Sequence, residues 1–83
     1  MLMAGGMLYA AKPPAANVSP HRHPNLAAAQ RLARHAWQRV LDAQKANEWD
    51  MEGHAQKAKE LLDQVNNELK IAAGEANEHP GPH

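Results

Sequence analysis

Residues 26–73, LAAAQRLARHAWQRVLDAQKANEWDMEGHAQKAKELLDQVNNELKIAA, decide the fold. Apolar residues recur there every three or four positions, no proline falls between Asn25 and His79, and no β-branched run suggests a strand. That is the period of a helix. Asn47 to Asp50 (NEWD) is the natural break, because Asn47 tolerates a left-handed C-cap and Asp50 can cap a second helix. The pattern predicts an all-α chain, an antiparallel two-helix hairpin with helix 1 at about 26–46 and helix 2 at about 51–73. Asn25, after Pro24, is the expected N-cap of helix 1, and Gly74 is expected near the C-terminal cap of helix 2. Gly53, in the first turn of helix 2, is a weak point costing about 1 kcal/mol relative to Ala.

Two stripes of small and large residues fit this hairpin. On helix 1 they are Leu26, Ala29, Ala33, Ala36, Val40, Ala43 and Asn47; on helix 2, Met51, Ala55, Ala58, Leu62, Val65, Leu69 and Ala72. Folded antiparallel, they pair Ala43 with Ala55, Val40 with Ala58, Ala36 with Leu62, Ala33 with Val65, Ala29 with Leu69 and Leu26 with Ala72. At nearly every level a small side chain then faces a larger one, as interdigitating helices require, giving a coiled-coil-like, Ala-rich interface. Charge agrees. Helix 1 carries Arg31, Arg34, Arg39 and Lys45 against Asp42, while helix 2 carries Glu52, Glu60, Asp63, Glu68 and Glu75 against Lys57, Lys59 and Lys70. Exposed pairs contribute under about 1 kcal/mol each, so they help set register and supply little stability.

Working outward, residues 12–24 (KPPAANVSPHRHP) hold four prolines and few large apolar groups, the composition of an extended, disordered linker. Residues 1–11 (MLMAGGMLYAA) are uncharged and mostly apolar, too short for a membrane span of about 20 residues. They look like the back half of a secretory signal sequence, and if they are the remnant of one the chain is expected in the periplasm or outside the cell. The tail, residues 77–83, ends in EHPGPH and is expected to be disordered, which leaves 25–76 as the ordered hairpin.

The chain is 83 residues long with no cysteine, and 17 alanines dilute its 43% hydrophobic share, so two helices alone make a thin core. Such chains usually add a metal or a partner chain. Leu32, Trp37, Leu41, Leu61 and Ile71 fall outside the central stripes. Trp37 and Leu41, at i and i+4, together with Leu61, are the candidate partner-binding surface, for another protein or for a homodimer completing a four-helix bundle. Trp49, in the break, is read as stapling the entry of helix 2. The six histidines are the other compositional excess. In a hairpin the linker and the tail leave from the same end, so His21, His23, His79 and His83 could meet there and bind Zn²⁺ or Cu²⁺ through neutral imidazole nitrogens. His35 and His54 read as surface helix positions.

Several classes are disfavoured. Equal numbers of basic and acidic residues, nine of each, provide no broad positive field for nucleic acid. Ser19 is the only serine and there is no threonine, which leaves no arrangement for hydroxyl catalysis. Gly5 and Gly6 do not lie between a strand and a helix, so no phosphate loop is present. The reading is therefore a non-enzymatic helical hairpin.

The stretch His23 to Asn77, from HPNLAAAQRLARHAW to KIAAGEAN, resembles small exported proteins of unknown function from Gram-negative proteobacteria. These have a leader, a Pro-rich linker with His-Pro-Asn-Leu before helix 1, and a hairpin ending in a Gln/Asn-rich helix. The resemblance covers roughly residues 21–77. It implies export and a hairpin shape, hence helices accessible to antibodies, and carries over no site residues. The A-x-x-x-A spacing is also similar to one tetratricopeptide-like helix pair, although a single repeat could not form a solenoid.

Overall fold

The structure, a computed structural model, describes residues 12–46 and 53–79. It is an antiparallel pair of helices, α1 (Pro24–Ala46) and α2 (His54–Glu78), as the apolar period predicts. The predicted break at Asn47–Asp50, with Trp49 and the Asp50 cap, lies outside the described residues, as do residues 1–11 and His83.

Each helix departs from its predicted ends for a local reason. α1 begins at Pro24 and not after an Asn25 cap. Proline suits the first helical position, where its missing N–H would have had no helical partner. The turn before it is built by Ser19, whose backbone oxygen accepts from the His23 N–H at 2.9 Å and whose Oγ accepts from the Arg22 N–H at 3.3 Å. The His23 carbonyl then accepts from the Ala27 N–H at 2.9 Å, so His23 takes the capping place expected of Asn25. At the other end α2 runs through Gly74 to Glu78, closing where the His79 N–H donates to the Glu75 oxygen at 3.0 Å. The stop signal that acts is Pro80, which disfavours helical geometry in the residue before it. Gly53 is not a weak helical position either: it precedes α2 with φ of 79°, a left-handed geometry that suits glycine.

The helices meet along faces turned by about one residue from the predicted stripes. α1 buries Ala27, Gln30, Ala33, Trp37, Leu41 and Gln44, and α2 buries Ala55, Lys59, Asn66 and Ala73, with Leu62 and Leu69 half-buried in the same line. Ala33 and Ala55 keep their predicted places. Ala36, Ala43, Val65 and Ala72, predicted to be core, are exposed. The register is nearly as predicted. The expected pairing would set Trp37 against Leu61, and Trp37 in fact lies against Lys59, two residues away.

A third element explains the turn. Residues 12–23 form no helix, yet Pro14 is fully buried, and Val18 packs with Ala27, Ala73 and the half-buried Leu26. Composition suggests a linker with nothing to pack; the structure makes it a strap along one side of the hairpin. Lys12 lies beside Gln56, Glu60 and Asp63 of α2, and Ala16 beside Ala28, Arg31 and His35 of α1. At 100° per residue these positions share one side of the hairpin. The side left over carries Ala29, Ala36, Val40 and Ala43 from α1 and Ala58, Leu61, Val65, Leu69 and Ala72 from α2.

Candidate functional site

The strap is held by two buried amides, Gln30 and Asn66, each about 1% exposed. Gln30 Oε1 accepts from the backbone N–H groups of Asn17 and Val18, both at 2.9 Å, and its Nε2 donates to Asn17 Oδ1 and to the Asn66 backbone oxygen, both at 3.0 Å. All four hydrogen-bonding positions of that side-chain amide are filled. Asn66 Nδ2 donates to the Ala15 oxygen at 2.9 Å and to the Gln30 oxygen at 3.1 Å. Lys70 Nζ adds a donation to the Asn17 oxygen at 3.2 Å. The two amides therefore join strap, α1 and α2 at one level. Backbone groups of a segment with no helix or strand are satisfied there without water, which is what permits the segment to be buried. Asn66 Oδ1, Gln44 Oε1 and Gln56 Oε1 are buried without a hydrogen bond among the described residues.

Two turns away, Trp37 is 3% exposed and stacks under Lys59, whose Nζ is 5.1 Å from the ring centroid. That is within reach of a cation–π attraction, which strengthens when desolvated. Burial removes water from the ammonium and lowers the Lys59 pKa below its ordinary value. Lys12, Gln56, Glu60, Asp63 and Gln64 complete an open groove over this pair.

The predicted partner surface is therefore divided. Trp37 and Leu41 are buried core residues; this corrects the expectation that they form an exposed pair. Leu61 is 49% exposed, and beside it Val65 is 44% exposed. With Gln64, Asn67, Glu68 and Leu69 they line a shallow apolar groove along the side of α2 away from the strap. Leu32 and Ile71 are also exposed, but Leu32 lines a groove with Ala16, Ala28 and His35 on the strap side and Ile71 lies on the back of α2, so neither joins this face.

The predicted meeting of linker and tail occurs at the open end of the hairpin, where His23 Nε2 is 2.8 Å from Asn77 Oδ1. His21 and His79 are exposed there. Ligand atoms of His79, Glu75 and Glu78 lie within 4.8 Å of one another. His23 is thus engaged with an amide, and the residues that gather around His79 are carboxylates.

Sequence reasoning passed over Gln30, Asn66 and Lys59. A signal existed: the line that includes Trp37 and Leu41 also includes Gln30 and Gln44, so a Trp-bearing face carries amides at the spacing of core positions. Among the described residues no helix is long and apolar enough to cross a membrane. No protein-family model, characterised protein or solved structure matches the chain.

Proposed function

We propose that this chain is a non-enzymatic, exported helical module that acts by binding protein through the side of α2 bearing Leu61 and Val65. The observation that supports it most is the asymmetry of the hairpin. One side is closed by the chain's own strap, while the other carries a continuous row of alanine, valine and leucine at the surface. Apolar surface gathered on one side of a small protein is characteristic of an interaction site. The leader-like residues 1–11 and the resemblance to exported proteobacterial proteins support periplasmic or secreted placement, where the charged backs of the helices would be open to antibodies.

A photo-crosslinking residue placed at 61 or 65, compared with one at 35 on the strap side, tests this in cells that make the protein. Adducts are expected from 61 and 65 and not from 35; no adduct from 61 and 65, or equal yields from all three, would sink the reading. A second reading, divalent-metal binding at the open end, is supported by the proximity of Glu75, Glu78 and His79. Titration of Zn²⁺ while following the histidine ring signals decides it: shifts of His79 at micromolar metal, lost in Glu75→Gln, are expected if it holds, and unmoved rings remove it.

A further inference from the structure

The exposed side of α2 reads Lys57, Leu61, Val65, Glu68, at spacings of four, four and three residues. These spacings set the four in one line along the helix. All four are exposed, and Lys57 and Glu68 form no ion pair among the described residues. The line is basic at one end, acidic at the other and apolar between. From this order we infer that the occupant of the apolar face is a second copy of the same chain, docked antiparallel about a twofold axis between Leu61 and Val65.

The charge order selects the occupant. Turning α2 end over end about that axis lays Leu61 of each copy on Val65 of the other. The same rotation sets Lys57 of each copy on Glu68 of the other, so one pattern supplies two ion pairs. An isologous contact needs a patch complementary to itself, and this line is. A parallel docking of the two α2 helices would set lysine on lysine and glutamate on glutamate. The rotation also brings the two α1 helices side by side, Ala29 of each copy near Ala36 of the other, and these small side chains permit close approach. Four helices then share one apolar centre, with both straps on the outside.

This inference rests on the reading that the Leu61 face is an interaction surface, and its test separates the two. Sedimentation of the full chain from micromolar to millimolar concentration is expected to show a reversible monomer–dimer equilibrium. Lys57→Glu and Glu68→Lys each convert two attractive pairs into two repulsive ones and should weaken the dimer roughly tenfold, with circular dichroism unchanged. An equimolar mixture of the two variants should recover the parent affinity, because only the mixed dimer restores both pairs. The double variant should recover it as well. A parent chain that stays monomeric, or a mixture no tighter than its components, overturns the inference. If the crosslinker at 61 then still gives an adduct of a mass other than twice the chain, the face is an interaction surface and only the occupant is wrong.

Discussion

Gln30 sits two turns into α1, where its own chemistry gives no reason to bury it and only its spacing from Trp37 and Leu41 hints at a core place. Glutamine is a good helix former with a polar end, and outside the apolar stripe it reads as surface. What makes burial favourable is a partner that lies earlier in the chain and outside any regular element: the backbone N–H groups of Asn17 and Val18. Hydrogen bonds to irregular backbone leave no period in the sequence, so this part of the site was not legible. Replacing Gln30 by Ala strands those two donors, with a penalty of about 1–3 kcal/mol expected for a buried group left unsatisfied. Urea denaturation should show Gln30→Ala less stable by about 2–3 kcal/mol. Hydrogen exchange should show the amides of Asn17 and Val18 losing protection out of proportion to those within α1. Gln38, exposed and bonded only to Asp42, provides the control: its replacement should fall within about 0.5 kcal/mol of the parent.

Between the elements, the antiparallel pairing followed from the sequence, while the two-residue shift in register and the rotation of each helix did not. The predicted stripes maximise aliphatic contact, and for two helices alone that choice is sound. With a strap present, the positions nearest to it must carry groups that can bond to backbone, and the contact rolls toward Gln30, Asn66 and Lys59. The aliphatic residues expected inside are thereby moved to the surface opposite. Lys59 shows the electrostatic side of this arrangement. Its folded pKa lies below its unfolded value of 10.5, so between those two values the unfolded chain binds more protons than the folded one. Stability must therefore rise as pH climbs through the folded pKa toward 10.5, and below the folded pKa the cost of burying the ammonium is present in full. Lys59→Met removes the charge and keeps the length. Any stability advantage of that variant over the parent should narrow between pH 7 and pH 10 in paired denaturation curves. An advantage that grew with pH would show that the ammonium is better accommodated in the folded chain than in water.

For the molecule as a whole, the thin two-helix core is supplemented from within by the strap. Composition marked residues 12–24 as rich in proline and free of regular structure, which holds as far as His23, Pro24 opening α1. It misjudged whether such a segment can be buried. Pro14 shows why: proline has no N–H to satisfy, so it enters an apolar contact without needing a partner, and the remaining backbone groups need only a few well-placed amides. The result is a body with two unlike sides, one finished by its own chain and one not.

The Asn66 amide bears on the order in which the chain folds. Its contacts with Ala15 and with Gln30 span 51 and 36 residues of sequence, whereas Asn17 and Val18 reach Gln30 across 13 and 12. Closing a longer loop costs more entropy, and contacts of large separation slow folding. The strap can therefore meet α1 while α2 is still unformed, but the Gln30 Nε2 bond to the Asn66 oxygen waits for the far helix. Chain synthesis imposes the same sequence of events, since Asn66 leaves the ribosome long after Gln30. The clasp is thus a late checkpoint: only a hairpin docked in the correct register presents both amides at one level, and a slipped pairing leaves Gln30 with a donor unspent.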